Sequence, residues 1–256
     1  MKNASEAPEG ITRPMTVRPK RAMLLAAGLG LRMRPLTATT PKPLVRLAGK
    51  PLLDFVLDRL AAAGVEMVVI NVHYLPKQII EHVTARRAPK IVISDESAEL
   101  LDTGGGVAKA LAQLGGEPFY IVNADSISLP GGGANLARMA AVFDSARMDS
   151  LMLLATAATS LGYHGDGDFH MGPDGLLKRR REREVTPFAF TGTSLAHPRL
   201  FEGAPKGKFS LNRLWDRAIE SGRLFGVRQD GLWMHIGSPE ALAEAEQLLA
   251  GGECYF

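Results

Sequence analysis

A glycine-rich loop with basic side chains follows the first apolar segment of the chain, within MLLAAGLGLRMRPLTATTPKPL at residues 23–44. Gly28 and Gly30 have no side chains, so the backbone can approach a bulky anion and turn its amides toward it. Arg32 and Lys42 add positive charge, because arginine can bind a phosphate with two hydrogen bonds and lysine acts as a point charge. The loop therefore predicts a binding site for a polyphosphate.

Two alternatives to this interpretation follow from the same residues. A G-x-G turn with basic residues at the surface also occurs in proteins that bind no phosphate. A dinucleotide-binding loop would need a third glycine, and Met33 stands at that position of the G-x-G-x-x-G pattern. The sequence therefore disfavours a dehydrogenase, and the plain turn stays open at this point.

An asparagine and an aspartate close a later apolar segment, PFYIVNAD at residues 118–125. Asn123 and Asp125 alternate along an extended segment, so their side chains point to the same side. A carboxylate is a hard oxygen ligand of the kind that Mg²⁺ prefers, which makes Asp125 a candidate metal ligand. From the residues alone, an aspartate that caps the next turn is an equal interpretation.

Apolar segments of strand length alternate with segments of helical periodicity in the first half of the chain. The strand-like segments are short, rich in valine and isoleucine, and closed by turn or polar residues. This order predicts right-handed crossovers and a Rossmann-like three-layer α/β/α fold, with a mainly parallel central sheet and a second, smaller lobe. The predicted strands are residues 21–28, 65–74, 90–95 and 118–125, and the predicted helices are residues 51–64, 76–86 and 103–116.

The polar and small residues of the motifs fall at the carboxyl ends of these predicted strands. In an open parallel sheet, ligands bind in the crevice outside those ends. Ala27 and Gly28 follow the first strand, Asn71 closes the second, and Asn123 and Asp125 close the fourth. We therefore expect these residues to converge on one crevice.

Composition excludes several classes of protein. The chain has 256 residues, of which 46% are hydrophobic and 22% charged, as is typical of a compact globular protein. The basic residues are dispersed except in LKRRRERE at 177–184, where glutamates alternate with them, so a solvated surface is favoured over a nucleic-acid site. No apolar run reaches the ~20 residues that span a bilayer. A single cysteine, Cys254, excludes an intramolecular disulfide, and we expect a cytoplasmic protein without nucleic-acid or membrane partners.

Six motifs, in a fixed order over residues 21–249, resemble the sugar-phosphate nucleotidyltransferases. The first carries the family's L-A-A-G-x-G-x-R-M-x-P-L-T and P-K-P-L signatures, and the others are LLDTGGGVAKAL, PFYIVNAD, GDGDF, FTGTSLAHP and WMHIGSPEALAEAE. The short chain, the triple glycine and the G-D-F element resemble most closely the N-acetylmuramate 1-phosphate uridylyltransferases of cell-wall recycling. The mannose 1-phosphate guanylyltransferases are the next nearest group.

The resemblance implies a reaction between a sugar 1-phosphate and a nucleoside triphosphate, UTP by the nearest group and GTP by the next. A phosphate oxygen of the sugar attacks the α-phosphorus, and pyrophosphate leaves. Arg32, Lys42 and Asp125 would be the catalytic residues: Arg32 neutralises the pyrophosphate, Lys42 contacts the α-phosphate region, and Asp125 holds the metal ion. The implied nucleotide-binding residues are Ala27, Gly28, Gly30, Leu31, Arg32, Lys42, Asn71, Gly104 and Gly105.

The resemblance also assigns the sugar side and the organisation of the chain. The implied sugar-binding residues are Asp168, Thr191 and Gly192, and Asn123 joins them as a candidate sugar or phosphate contact because it points to the same side as Asp125. A proline-rich start without periodicity predicts a flexible extension. The predicted parts are this extension at 1–19 and one domain at 20–250, with a nucleotide-binding part at about 20–130, a sugar-binding part at about 150–236 and a C-terminal helix at about 238–250. The sequence leaves the oligomeric state open.

One motif departs from the family pattern, in which W-x-D-x-G-T commonly supplies a second metal-binding aspartate. Here His235 stands at the corresponding position of WMHIGS. Mg²⁺ is the expected cofactor, and Mn²⁺ is the alternative because imidazole suits Mn²⁺ better than Mg²⁺. Either His235 is a second ligand, or Asp125 and the phosphates hold the ion with water. A non-catalytic module that binds sugar nucleotides is the alternative from another class, and intact Arg32, Lys42 and Asp125 favour the enzyme.

Overall fold

The computed structural model describes residues 17–129 and 132–251. Most of the predicted extension at 1–19, and Cys254, lie outside these residues. Strands and helices alternate through the first half, as the sequence predicts. No helix in the described ranges is long and apolar enough to cross a membrane.

The bounds of the regular elements are as follows. The strands are β1 Arg21–Leu25, β2 Arg46–Leu47, β3 Lys50–Pro51, β4 Met67–Val72, β5 Lys90–Asp95, β6 Phe119–Asn123, β7 Ser126–Leu129, β8 Ser150–Thr156, β9 Phe169–Met171, β10 Leu177–Arg179, β11 Phe188–Ala196, β12 Leu224–Arg228 and β13 Leu232–His235. The α-helices are α1 Leu52–Ala62, α2 Pro76–Thr84, α3 Asp102–Leu114, α4 Gly132–Val142, α5 Asn212–Glu220 and α6 Pro239–Ala250.

The centre of the large sheet is parallel, in the order β6-β1-β4-β5. We call this region, residues 21–129, the parallel half. Its strands are in register at their carboxyl ends, because Leu25 lies opposite Asn71 on one side and Asn123 on the other. The carboxyl ends of three strands therefore lie together at one edge of the sheet. The predicted fold with a mainly parallel centre is confirmed.

The sheet becomes mixed beyond β6, in residues 150–235, which we call the antiparallel half. Strand β11 runs antiparallel to β6 and to β8, and β12 pairs with β8 in parallel. The register of β11 against β8 shifts between Phe190 and Ser194. At the start of β11, Phe188 pairs with Phe169 of the β9–β10 hairpin. The bulge thus lets one long strand serve both the main sheet and the hairpin.

Alternating side chains of the central strands form an apolar core on each face of the sheet. On one face Leu24 and Val68 pack with α1, α2 and α4, and on the other Met23 and Val69 pack with α3 and α5. Period-two alternation sends successive side chains to opposite faces, so strands between two helical layers are apolar throughout. Both cores therefore hold the strand ends in place.

A smaller core connects the glycine-rich loop to the end of the chain. Met33 of the loop and Leu47 pack with Ile127 of β7, Met234 of β13 and Ala245 of α6. Strands β7 and β13 form their own antiparallel pair. This core brings the loop, the segment after β6 and the tryptophan motif of the last strand to one side of the molecule.

Candidate functional site

A cleft of about 410 Å³ lies at the carboxyl ends of β1, β4 and β6. It is the crevice that the sequence predicts, because residues from all three strand ends line it. The predicted site residues in its lining are Ala27, Gly28, Gly30, Lys42, Asn71, Asn123 and Asp125.

The two glycines of the loop serve different purposes. Gly30 has a φ of 64°, in the left-handed region, and its carbonyl accepts a hydrogen bond of 2.8 Å from the Thr37 hydroxyl. A Cβ atom there would lie 3.1 Å from the Cβ of Lys42. At Gly28 a Cβ atom would meet nothing within 4 Å. Gly30 therefore allows the loop to close tightly on Lys42, whereas Gly28 leaves open space in the cleft.

Asn71 holds the end of β1 against the neighbouring strand. Its buried side chain accepts a hydrogen bond of 2.8 Å from the Ala26 amide and donates one of 2.8 Å to Oε1 of Glu96. Glu96 is 1% exposed, and its Oε2 accepts a hydrogen bond from the Leu101 amide. Sequence reasoning missed Glu96, although it directly follows the predicted strand at 90–95. Both side-chain groups of Asn71 are thus engaged in shaping the cleft.

Lys42 and Asp125 form an ion pair in the cleft, with 2.5 Å between Nζ and Oδ2. The side chains are only 14% and 22% exposed. Burial by itself would raise the pKa of Asp125, but Lys42 and then His235 outweigh it and lower this pKa below its ordinary value. Asp125 is therefore ionised and available to a cation.

His235 lies opposite Ser126 in the β7–β13 pair, and Ser126 directly follows Asp125 in the chain. Burial lowers the pKa of His235, Asp125 opposes this, and the charges of Lys42 and Arg32 lower it further. A Cβ atom on Gly237 would lie 2.6 Å from Nε2 of His235, so a side chain there would require the ring to shift. The neutral imidazole can offer a lone pair, and its role as a metal ligand stays a prediction.

The donor set around Asp125 is small. Within residues 17–129 and 132–251, no three histidine, cysteine, aspartate or glutamate side chains gather as a metal site. An ion held by Asp125 and His235 would thus need further ligands from substrate and water. The ammonium of Lys42 against the Asp125 carboxylate shows that this position already stabilises positive charge. The residues fit a divalent cation that arrives with phosphates.

A second cavity of about 330 Å³, which we call the sugar-side cavity, adjoins the cleft and shares Asn123 with it. Asp168 and Gly192 line it. Oδ2 of Asp168 accepts a hydrogen bond of 2.8 Å from the Phe190 amide. Gly192 has a φ of 80°, and a Cβ atom there would lie 2.8 Å from Nδ2 of Asn123. Gly192 therefore lets β11 pass directly beside Asn123.

Other predicted site residues lie outside the lining of both cavities. Leu31 and Arg32 are exposed, in a short 3₁₀ helix at Leu31–Met33 that continues from the glycine-rich loop. Thr191 is buried, and its hydroxyl donates a hydrogen bond of 2.9 Å to the carbonyl of Leu153. The Thr191 hydroxyl is thus engaged within the sheet, at the bulge of β11.

Gly104 and Gly105, also outside both linings, pack the start of α3 against a distant segment at residues 207–211. Their amides donate hydrogen bonds of 2.9 and 3.0 Å to the carbonyl of Phe209. A Cβ atom on Gly104 would lie 2.3 Å from Cε2 of Phe209. Contact with the nucleotide therefore stays a prediction for these glycines, whereas close packing is observed.

The segment at 207–211 also brings a lysine that sequence reasoning missed. Lys208 lines the cleft, and the segment is held by the Thr103 hydroxyl, which accepts a hydrogen bond of 3.0 Å from the Leu211 amide. Asp102 and Thr103 line both cavities. No local motif marks Lys208, because its position depends on contacts with α3.

The fold and the cleft define the class of nucleoside triphosphate transferases. Residues 22–158 match the family described as the MobA-like NTP transferase domain. The chain belongs to the sugar-phosphate nucleotidyltransferases, which confirms the resemblance seen in its motifs.

Named relatives agree with this membership, and a solved structure shares the fold. The chain is 47% identical to the N-acetylmuramate alpha-1-phosphate uridylyltransferase of Caulobacter vibrioides, over 92% of this chain and 99% of that one. It is 36% identical to the enzyme of the same name from Neisseria meningitidis serogroup B, over 90% and 98%. A UDP-glucose pyrophosphorylase complexed with UDP-glucose has the same fold, with a TM-score of 0.73 at 18% identity, over 91% and 98%.

Proposed function

We propose that the chain is an enzyme that condenses UTP with N-acetyl-α-muramate 1-phosphate. The products are UDP-N-acetylmuramate and pyrophosphate, and the reaction serves the recycling of cell-wall sugar. The observation that carries the proposal is the Lys42–Asp125 pair in the lining of the cleft, which shares Asn123 with the sugar-side cavity. The end-to-end similarity to the Caulobacter vibrioides relative supports the choice of substrates.

The triphosphate binds in the cleft by the glycine-rich loop. Gly28 leaves room for phosphate, and the amides of the loop are donors to its oxygens. Lys42 neutralises charge at the α-phosphate, and Lys208 adds a second ammonium to the lining. Arg32 meets the departing pyrophosphate from the rim. Transfer between phosphates depends on such positioning and charge neutralisation more than on proton transfer.

Asp125, together with His235, would hold the divalent cation. When bound, the ion neutralises phosphate oxygens and orients them for in-line attack. The lowered pKa of Asp125 keeps the carboxylate ionised for this purpose. Lys42 then moves its hydrogen bond from Asp125 to a phosphate oxygen, because both anions compete for the same ammonium.

The sugar 1-phosphate occupies the sugar-side cavity, with its phosphate toward the cleft. Asp168 accepts hydrogen bonds from sugar hydroxyls, and the Asn123 amide contacts the sugar or its phosphate at the shared wall. Gly192, which has no side chain, allows β11 to lie directly beside Asn123 at that wall. The attacking phosphate oxygen is already ionised, so the chain needs no general base.

A substrate matrix tests the proposal. Purified protein is incubated with each nucleoside triphosphate and each of several sugar 1-phosphates, with Mg²⁺ or Mn²⁺, and pyrophosphate release is measured. We expect release with UTP and N-acetylmuramate 1-phosphate. Release only with GTP and mannose 1-phosphate would establish the guanylyltransferase instead. Binding of UDP-sugars by calorimetry without release from any pair would show a non-catalytic module.

A further inference from the structure

The sugar-side cavity has one feature that the proposed reaction does not explain, which is a cationic side chain outside the lining of the cleft. Among the described residues that line this cavity, Arg179 is the only lysine, arginine or histidine. The phosphates are met by Lys42 and Lys208 in the cleft. Arg179 therefore faces another part of the sugar substrate.

Arg179 is held in place before any ligand binds. It lies opposite Phe169 in the β9–β10 hairpin, with its guanidinium carbon 5.2 Å from the centre of that ring. Nε donates a hydrogen bond of 2.6 Å to Oδ1 of Asp216, and Nη2 a longer one of 3.4 Å to Oδ1 of Asn212. Nη1 makes no hydrogen bond to the residues that the structure describes. One edge of the guanidinium is thus anchored on α5 and another remains for a ligand.

The Arg179–Asp216 pair contributes little to folding. The two side chains are 37% and 52% exposed, and ion pairs of that exposure add little stability because water screens them. Its consequence is orientation, since a guanidinium fixed at two atoms loses less freedom when it binds an anion. An oriented arginine is the side chain best suited to a planar carboxylate.

The rest of the cavity fits the apolar and hydroxyl-bearing parts of a ligand, and it repels an acidic part. Phe190 and Trp215 meet edge to face, with ring centres 5.0 Å apart, and form an apolar wall. Asp168, on the same lining, accepts from hydroxyls and repels a carboxylate. A substrate with hydroxyls and a carboxylate must therefore direct the carboxylate to Arg179.

We propose that Arg179 is a specificity-determining residue that binds the carboxylate of the lactyl ether of N-acetylmuramate 1-phosphate. The inference rests on the proposed function, because this carboxylate is what distinguishes muramate from N-acetylglucosamine. Burial of an unpaired carboxylate is costly, so the cation decides which of the two sugars the cavity accepts.

Kinetics with two sugars test the role of Arg179. The variant Arg179→Met keeps the length of the side chain and removes its charge. With UTP and N-acetylmuramate 1-phosphate we expect kcat/KM to fall by about 10²-fold, mainly through KM, because the contact is remote from the reacting phosphates. With N-acetylglucosamine 1-phosphate the change should stay within about threefold, as for substitutions that remove no substrate contact. The ratio of the two kcat/KM values is the decisive quantity.

Three variants serve as controls. Arg181→Met removes an exposed arginine of the same basic run outside the cavity lining, and should change neither sugar. Arg179→Lys restores a charge without the planar fork, and should recover part of the muramate activity. Asp216→Asn weakens the anchor, and should raise KM for muramate with a smaller effect than Arg179→Met.

Failure of the inference is distinguishable from failure of the proposed function. If wild type releases pyrophosphate from UTP and N-acetylmuramate 1-phosphate but Arg179→Met affects both sugars equally, the carboxylate assignment is wrong and Arg179 has a structural role. If wild type does not use muramate at all, the proposed function fails, and the inference falls with it. Thermal unfolding of each variant establishes that the compared proteins are folded.

Discussion

The parallel half and the antiparallel half build their parts of the site in different ways. In the parallel half, strands in register bring Asn71 and Asn123 to the two sides of the end of β1. In the antiparallel half, Asp168 precedes β9, Arg179 ends β10, and Gly192 lies in the bulge of β11. Parallel strands share one carboxyl edge by topology, whereas an antiparallel arrangement needs a bulge and a hairpin to collect its residues.

The glycines of the motifs fall into two kinds, those that border space for a ligand and those that allow two parts of the chain to pack closely. Gly28 of the parallel half borders open space, whereas Gly192 of the antiparallel half packs closely against Asn123. Gly104, also in the parallel half, packs on Phe209 of the antiparallel half. A glycine in a motif therefore indicates a close approach, but the partner in that approach is either a ligand or another part of the chain.

The largest effect is expected at Asp125, the carboxylate that follows β6 in the parallel half. Its replacement tests whether activity depends on this one side chain. Asp125→Asn removes the charge that would hold the cation, and we expect kcat/KM to fall about 10³-fold or more. Nucleotide should still bind weakly, because the glycine-rich loop and Lys42 remain. Pyrophosphate release and calorimetry with and without Mg²⁺ measure the two effects. Unchanged activity at saturating Mg²⁺ would contradict the role of Asp125.

A pair of glycine substitutions tests whether packing and ligand space can be separated. Gly104→Ala places a methyl group 2.3 Å from the Phe209 ring. We expect a loss of about 2 kcal/mol in the free energy of unfolding, because overpacking outweighs the helix propensity gained by alanine. Gly28→Ala should leave stability within about 0.5 kcal/mol and lower kcat/KM, since its methyl group enters open cleft. Denaturant unfolding and kinetics on both variants check this.

The opposite pattern would break the comparison between these two positions. If Gly28→Ala were the less stable protein, the assignments of ligand space and packing would be reversed. If Gly28→Ala kept full activity while Gly104→Ala kept full stability, both assignments would be wrong.

The smallest expected effect lies in the antiparallel half, at the bulge. Thr191→Val removes the donor to the Leu153 carbonyl, and we expect a loss of about 1 kcal/mol in the free energy of unfolding. Activity should change little, because the hydroxyl is buried within the sheet. Thr191→Ser keeps the hydroxyl and is the matched control. A large rise in KM for the sugar with unchanged stability would instead support the predicted sugar contact.

The sequence predicted the central strands of the parallel half because their signals are local. A short apolar segment followed by glycine or a polar residue predicts both a strand and its end, and the ends of parallel strands must meet. The predicted crevice and five residues of its lining, Ala27, Gly28, Asn71, Asn123 and Asp125, followed from that rule. The same locality revealed the departure at His235, since it lies within a motif.

Only the tertiary structure decided which side chains are engaged within the fold and which face the cavities. Asn71 is occupied by the Ala26 amide and Glu96, and Thr191 by Leu153. Lys208 and Arg179 enter the lining through contacts with distant helices. A motif gives the residue type and its strand, but a hydrogen bond between segments far apart in the chain depends on how the layers pack, and no local pattern carries that information.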